Sequence, residues 1–245
     1  MPLPEVIVIG AMKCATSAVH AYLDAHPDIA MSPVKELNFF NGPEVAPHDD
    51  PDRWWLAGQW HRGLDWYAAQ FPAGVPLHGE ASPAYTQPDA PEVPGRMARV
   101  LPAVRLVYLV RDPFDRAVSQ WRHHRRDGAE PRPAAEALLD PDSQYVARSR
   151  YLERLAGFLH RFDRDQLHVV VQERLLRDPA AEVPALHRHA GADPERAPAA
   201  TRHRNVGGPG DPPDPALRAA FLDRVADDTA GLRDLLRDDL PEWDR

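Results

Sequence analysis

The chain is poor in cysteine and has no long apolar segment. Its 245 residues include a single cysteine, Cys14, which excludes an intrachain disulfide. No apolar run reaches the ~20 residues of a membrane-spanning helix. The N-terminus also lacks the basic segment that opens a secretory signal peptide. We therefore expect a cytoplasmic protein with no membrane span.

An excess of positive charge is missing as well. The formal net charge is −8 with histidine neutral. Nucleic-acid-binding proteins usually carry a basic face, so we expect no nucleic-acid partner. A small anionic ligand is still compatible with this balance, because a few arginine and lysine side chains suffice to bind a phosphate. The histidines form no H-E-x-x-H pattern, and His187 and His189 stand apart from the others, so we expect no metal site.

Short apolar runs alternate with segments of helical spacing. Strands are predicted at residues 5–9, 29–34, 77–80, 105–110 and 166–171. Helices are predicted at residues 16–26, 63–71, 92–101, 148–162, 179–189 and 213–240, and from Pro113 onward. Residues 41–62 are predicted to form a long loop or insertion, and residues 128–147 a loop with a short helix. This alternation predicts an α/β fold with a central parallel sheet flanked by helices, and the length fits one domain over residues 1–245.

The segment after the first strand has the composition of an anion site. Gly10 ends the strand, and a short loop leads into a helix N-terminus, where unpaired N–H groups favour an anion. Lys13 adds a positive charge, and Thr16 and Ser17 add hydroxyl groups. The G-x-x-x-x-G-K-[ST] spacing of a Walker A loop is missing. Taken alone, the segment is equally compatible with an ordinary helix N-terminus and a solvated lysine.

A second polar segment follows the 105–110 strand. Arg111 leaves that strand, Asp112 is placed to cap the helix that Pro113 begins, and Ser119 lies two helical turns further on. A guanidinium and a hydroxyl at these positions would bind a second phosphate. Taken alone, the segment is also compatible with a surface Arg–Asp pair and an exposed serine.

Together the two segments resemble the sulfotransferase family that uses 3′-phosphoadenosine-5′-phosphosulfate as donor. Residues 10–17 are similar to the family's 5′-phosphosulfate loop, and residues 111–119 to its 3′-phosphate motif. The carbohydrate and heparan-type branch is most similar, through residues 35–40, 63–67, 79–85 and 166–179. The resemblance spans nearly the whole chain. It implies a P-loop-like sulfotransferase fold, sulfuryl transfer by in-line displacement, and 3′,5′-bisphosphoadenosine as product.

The resemblance also implies roles for residues near the donor. Glu36 is implied to be the general base that accepts the acceptor's proton. Lys13 is implied to neutralise charge on the departing phosphate. The other residues implied to bind the donor are Cys14, Ala15, Thr16, Ser17, Arg111 and Ser119, with Arg204, Asn205 and Gly207 in a late basic loop. No metal is implied, because no Walker A hydroxyl stands beside the lysine to bind Mg²⁺.

The acceptor side is less closely matched. Glu80 is implied to be a second candidate base or an acceptor-positioning group, and Lys35 and Asn38, in the matching element 35–40, are candidates to bind the acceptor. Trp54 and Trp55 belong to the 41–62 insertion and are candidates to line an acceptor pocket, since aromatic faces suit sugars and planar rings. Packing of the insertion explains them equally well.

Several positions depart from the family pattern. Cys14 and Ala15 stand where glycine is common, Asn38 stands where several relatives have histidine, and Ala81 replaces the lysine of the heparan-type element. The missing lysine and the acidic net charge argue against a long polyanionic acceptor. We expect a hydroxyl of a sugar, lipid or secondary metabolite as acceptor; the sequence specifies no oligomeric state.

Two other functions are compatible with an anion site of this kind. A phosphoryl-transferring P-loop kinase would use ATP and Mg²⁺, and the missing Walker A spacing argues against it. A non-catalytic bisphosphoadenosine-binding protein would need the same cations but no carboxylates beside them. Glu36 and Glu80 therefore favour catalysis.

Overall fold

The computed structural model describes residues 2–45, 58–140, 142–200 and 214–244. One five-stranded sheet runs through these residues, and all of its strands are parallel. The strands are β1 (Val6–Gly10), β2 (Ile29–Met31), β3 (Leu77–Ala81), β4 (Arg105–Val110) and β5 (Leu167–Val171). Their order in the sheet is β2-β3-β1-β4-β5. The predicted α/β class and the parallel sheet are confirmed.

Helices cover both faces of the sheet and connect its strands. They are α1 (Thr16–Asp24), α2 (Gly63–Ala68), α3 (Val93–Val100), α4 (Pro113–Arg126), α5 (Ala134–Leu139), α6 (Gln144–Ser149), α7 (Tyr151–Leu159), α8 (Gln172–Arg177), α9 (Pro179–Ala190), α10 (Pro215–Asp223) and α11 (Ala226–Leu236). A short 3₁₀ turn, Pro83–Thr86, follows β3. No helix within the described ranges is long and apolar enough to cross a membrane.

Several predicted elements differ in extent, three of them for a reason that lies in the backbone. β2 ends at Met31, because Pro33 has no N–H to donate to a neighbouring strand. The predicted helix 148–162 is divided at Arg150, whose φ of −83° and ψ of 77° lie outside the helical region. The predicted helix 213–240 is divided at Val225 for the same reason, with φ −121° and ψ 9°. Hydrophobic spacing continues through both breaks, so the pattern alone does not show them.

The centre of the sheet is fully enclosed. Val6, Ile7, Val8 and Ile9 of β1 have no exposed surface, and five of the six residues of β4 are buried. Strands covered on both faces read as continuous apolar runs, which is why β1 and β4 are the clearest strands in the sequence. A second cluster packs α4 against α5, α6 and α10.

The carboxyl ends of β1, β3 and β4 meet at one edge of the sheet. Val8 pairs with Ala81 of β3, and Gly10 pairs with Tyr108 of β4. A side chain at Gly10 is excluded, since its Cβ would lie 2.2 Å from Oγ1 of Thr86. The segments that follow these three strands are therefore in direct contact.

Candidate active site

Residues 11–15 form the loop between β1 and α1, which we call the phosphosulfate loop. Lys13 and Ala15 both adopt left-handed backbone conformations, with φ of 71° and 65°. Ala15 precedes the first turn of α1 and accepts from the N–H groups of Ala18 and Val19, while the N–H groups of Thr16 and Ser17 at the start of the helix have no carbonyl partner within it. Strained non-glycine residues of this kind cluster at ligand-binding sites. The loop thus has the backbone geometry of an anion site.

Cys14 packs beneath this loop. Its side chain has no exposed surface, and its Sγ lies 3.7 Å from the hydroxyl of Tyr151. Burial raises the pKa of the thiol to about 11, so the group is neutral at pH 7. Its N–H donates to the carbonyl of Ala11 at 3.2 Å. The predicted donor contact at Cys14 therefore has neither a cleft-facing side chain nor an uncommitted N–H to support it.

Lys13 and Arg111 lie side by side, as the two predicted phosphate segments require. Nη1 of Arg111 is 3.5 Å from the carbonyl oxygen of Lys13. Burial lowers the pKa of Lys13, and the charges of Arg126 and Arg111 lower it further. Neighbouring cations that destabilise one another in this way favour an anion between them.

Hydrogen bonds hold the backbone around Arg111 in place, whereas its side chain is partly exposed and can contact a ligand. The hydroxyl of Tyr151 donates to the Arg111 carbonyl at 2.8 Å. Asp112 caps α4 by accepting from the N–H of Asp115, and Nη1 of Arg218 donates to the same carboxylate at 2.9 Å. A surface pair between Arg111 and Asp112 is therefore excluded. Among the described residues, the carboxylate nearest to Arg111 is that of Asp115, at 4.0 Å.

The C-terminal end of α4 adds residues that sequence reasoning missed. His123 and Arg126 are close enough to Lys13 for their charges to affect one another. Nδ1 of His123 lies 3.4 Å from the carboxylate of Asp127. The sequence spacing could have indicated these residues, because positions 119, 123 and 126 are separated by four and three residues and therefore share one face of the helix. The partly buried Ser119 thus belongs to the face that meets the phosphosulfate loop.

Glu36 lies in the loop that follows β2, on the β3 side of the cleft. Its N–H donates to the carbonyl of Ala81 at 3.0 Å, and its backbone is left-handed with φ 65°. Its side chain is 49% exposed and forms an ion pair with Lys35. The charge of Glu36 acts on Lys13 and on His123. A carboxylate is therefore exposed next to the phosphosulfate loop.

Asn38 sets the turn after Glu36. Its N–H donates to Oγ of Ser82 at 3.0 Å, and its carbonyl accepts from the N–H of Gln59 at 3.0 Å. Its backbone is also left-handed, with φ 51°, and the residue is 7% exposed.

The other residues assigned from the sequence to the late basic loop and the insertion lie outside the described residues: Arg204, Asn205, Gly207, Trp54 and Trp55.

Glu80 is buried and does not reach the cleft. It has no exposed surface, and the rings of Tyr67 and Tyr85 enclose it. Burial raises the pKa of its carboxyl to about 8, although the nearby hydroxyls of Tyr85 and Tyr67 lower it in part. A group without exposed surface has no access to an acceptor hydroxyl. The expectation that Glu80 acts as a base or contacts the acceptor is corrected accordingly, and Glu36 is left as the candidate.

The Glu80→Gln substitution tests this burial. Between its unfolded pKa of 4.5 and its folded pKa of about 8, Glu80 carries a proton in the folded state that the unfolded state has lost. Its contribution to stability is therefore complete below pH 4.5 and is lost as pH rises to about 8. We expect Glu80→Gln to gain stability relative to the wild type over this interval, by up to ~1.4 kcal/mol per pH unit.

Urea unfolding at pH 5 to 9 measures that difference. Glu136, which is exposed on α5, supplies the control Glu136→Gln, whose stability should follow the wild type at every pH. A constant difference between Glu80→Gln and the wild type across the range would show that Glu80 is ionised in the folded protein.

The chain is similar in sequence to known sulfotransferases. Residues 36–196, more than half of the chain, match the model of the "Sulfotransferase family". The bifunctional heparan sulfate N-deacetylase/N-sulfotransferase 2 of Bos taurus is 27% identical over 217 residues, which cover 78% of this chain and 22% of that protein. The heparan sulfate glucosamine 3-O-sulfotransferase 5 of Homo sapiens is 27% identical over 206 residues, covering 78% of this chain and 54% of that protein. The chain thus spans only part of these curated relatives.

A solved structure matches over its full length. The crystal structure of a sulfotransferase from Alicyclobacillus acidocaldarius has a TM-score of 0.82 and 28% sequence identity, with 100% of both chains covered. The parallel sheet and its flanking helices are therefore the P-loop-like sulfotransferase fold. On the family match, the sequence relatives and this structure, the chain belongs to the sulfotransferase family.

Proposed function

We propose that the chain transfers a sulfuryl group from 3′-phosphoadenosine-5′-phosphosulfate to a hydroxyl of a sugar, lipid or secondary metabolite. One observation carries the proposal: Lys13 and Arg111 lie together at the ends of β1 and β4, with the exposed carboxylate of Glu36 beside them. Two adjacent cationic positions suit a nucleotide with two separate anionic groups. A carboxylate beside them suits removal of a proton from an acceptor.

The donor's two ends have separate binding positions in this proposal. The phosphosulfate end lies over the phosphosulfate loop and the first turn of α1, where Lys13, Ala15, Thr16 and Ser17 supply cationic, N–H and hydroxyl donors. The 3′-phosphate binds Arg111 and the hydroxyl of Ser119 on α4. The side chain of Arg111 is 24% exposed, and no carboxylate in the described ranges is closer to it than 4.0 Å, so an incoming phosphate meets little competition.

The reaction is an in-line displacement at sulfur. The acceptor oxygen forms the new S–O bond while Glu36 removes its proton. The bond from sulfur to the bridging oxygen of the 5′-phosphate breaks, and its electron pair leaves on 3′,5′-bisphosphoadenosine. Lys13 stabilises the charge that grows on that phosphate oxygen. Because Lys35 pairs with Glu36, this ion pair opens when the acceptor hydroxyl contacts the carboxylate.

Calorimetry separates this function from the kinase alternative. We expect 3′,5′-bisphosphoadenosine to bind with the same affinity in the presence and absence of Mg²⁺, and more tightly than ATP. Tighter, Mg²⁺-dependent binding of ATP would support phosphoryl transfer instead. Conversion of the donor to 3′,5′-bisphosphoadenosine with a panel of hydroxyl acceptors then separates the transferase from a non-catalytic binding protein.

The Arg111→Ala substitution tests the 3′-phosphate position. We expect it to weaken 3′,5′-bisphosphoadenosine at least ~10-fold, the loss that follows from removing a charge-assisted hydrogen bond. Adenosine-5′-phosphosulfate, which lacks the 3′-phosphate, should be affected much less. The control is Arg188→Ala on the exposed side of α9, which should leave both affinities unchanged. Equal weakening of the two ligands by Arg111→Ala would show that Arg111 does not bind the 3′-phosphate.

A further inference from the structure

A shallow recess of about 10 Å³, room for one group the size of a water molecule, opens to solvent beside the phosphosulfate loop. It lies between the start of that loop, the segment after β3, and α6. The residues that line it are Ala11, Met12, Pro83, Thr86, Gln87 and Arg148. Arg148 is the one charged residue in this lining, so its contacts decide what the recess binds.

The guanidinium of Arg148 has only weak acceptors around it. Nη1 donates to the thioether sulfur of Met12 at 3.4 Å, and Nη2 donates to Oε1 of Gln87 at 3.4 Å. A thioether is a weak acceptor, and 3.4 Å is long for an N–H···O bond. Nε is buried and has no hydrogen-bond partner among the residues that the structure describes. In the described part of the chain no carboxylate lies within 4.0 Å of it, although the charge of Asp89 acts on it from further away.

Several other arginines of the same protein are paired with carboxylates, whereas the buried Arg116 donates to three neutral oxygens at 2.8 Å. Arg96, Arg132, Arg174 and Arg218 each donate to at least one carboxylate. Burial and the charge of Arg116 lower the pKa of Arg148 to about 10, so it remains a cation at neutral pH. A partly desolvated cation without a counter-ion is unfavourable, and an anion supplied by a ligand offsets that cost.

The recess lies on the same side of the cleft as Glu36. The N–H of Glu36 donates to the carbonyl of Ala81, and Nδ2 of Asn41 donates to the carbonyl of Ala84 at 3.2 Å. Residues 36–41 therefore run along the segment after β3 that also lines the recess. Arg111 follows β4, on the other side of β1. A ligand in the recess thus lies in the acceptor's part of the cleft.

We infer that Arg148 binds a carboxylate of the acceptor, which is then a hydroxyl compound bearing one acidic group. A planar guanidinium with uncommitted N–H groups matches a carboxylate in shape and charge, and the side-chain amide of Gln87 adds a neutral donor. This inference rests on the proposed sulfotransferase function. The inference adds Arg148 to the proposed function as a specificity-determining residue, and it names the class of acceptor.

A matched pair of ligands tests it: 4-nitrophenyl β-D-glucuronide and 4-nitrophenyl β-D-glucoside, which differ at a carboxylate. Calorimetry is performed on the full chain saturated with 3′,5′-bisphosphoadenosine. We expect the glucuronide to bind at least ~10-fold more tightly than the glucoside, as for a charge-assisted hydrogen bond. Arg148→Gln should remove this preference and leave bisphosphoadenosine affinity unchanged. Arg150→Gln, at an exposed position two residues further on, should retain the preference.

A second variant keeps Arg148 and supplies the counter-ion from the protein. Gln87→Glu places a carboxylate at the position of an oxygen 3.4 Å from Nη2, so it should abolish the glucuronide preference even if Arg148→Gln does not fold. Equal binding of the two glycosides to the wild type, or a preference that survives Gln87→Glu, would overturn the inference. Failure of bisphosphoadenosine to bind the wild type would instead reject the proposed function, so the two failures are distinguishable.

Discussion

Glu36→Gln is expected to lower the turnover of sulfuryl transfer at least ~10²-fold, the usual contribution of a positioned general base. Glutamine has nearly the same shape as glutamate and cannot accept the acceptor's proton. The backbone contact of Glu36 with Ala81 does not involve the side chain, so the loop should keep its conformation. Affinity for 3′,5′-bisphosphoadenosine should be unchanged. Steady-state turnover and calorimetry on the same preparation measure both quantities.

Two comparisons make the Glu36 result specific. Glu136→Gln removes an exposed carboxylate on α5, remote in sequence from the phosphosulfate loop, and should retain full turnover. Lys35→Gln removes the ion pair but leaves the carboxylate, and should retain most of the turnover. Full activity of Glu36→Gln would mean that another group accepts the proton.

Lys13→Gln is expected to lower turnover by ~10²- to 10³-fold, the loss measured when one preorganised donor to a developing negative charge is removed. Lys13 is one of only two lysines in the chain, and its strained backbone places it between β1 and α1. Charge on the departing phosphate grows during the reaction, so the loss should fall on turnover more than on bisphosphoadenosine affinity.

Arg126→Gln supplies the comparison for Lys13. Arg126 is exposed, and its charge contributes to the field at Lys13, but solvent screens it. Its loss should change turnover less than about threefold, in keeping with the small energies of exposed charges. If Lys13→Gln and Arg126→Gln had equal effects, general positive charge rather than the position of Lys13 would explain catalysis.

The sequence predicted the part of the fold that depends on continuous apolar runs. β1 and β4 are evident in the sequence because strands buried on both faces consist almost entirely of apolar residues. The polar segments after β1 and β4 were then placed together by the general rule for parallel sheets. The contact between Arg111 and the Lys13 carbonyl confirms that the two segments lie together.

Features that depend on side-chain direction could not be predicted in the same way. Glu80 stands at the end of a strand like other candidate residues, and only the packing of Tyr67 and Tyr85 shows that it is buried. Arg148 became a candidate because its Nε has no hydrogen-bond acceptor among the described residues. A sequence pattern does not show whether an acceptor is present. The proximity of His123 to Lys13 depends on how α4 is oriented relative to the phosphosulfate loop, which the sequence does not specify.

The hydroxyl of Tyr151 connects the two predicted phosphate-binding segments. It contacts Cys14 beneath the phosphosulfate loop, donates to the carbonyl of Arg111 and accepts from its N–H at 3.3 Å. A buried side chain that contacts both segments sets their separation before any ligand arrives. A preorganised site loses less conformational entropy on binding. In the proposed complex, selectivity for a nucleotide with two phosphates therefore depends on the fixed distance between the two phosphate-binding segments. The number of cations is not the only determinant.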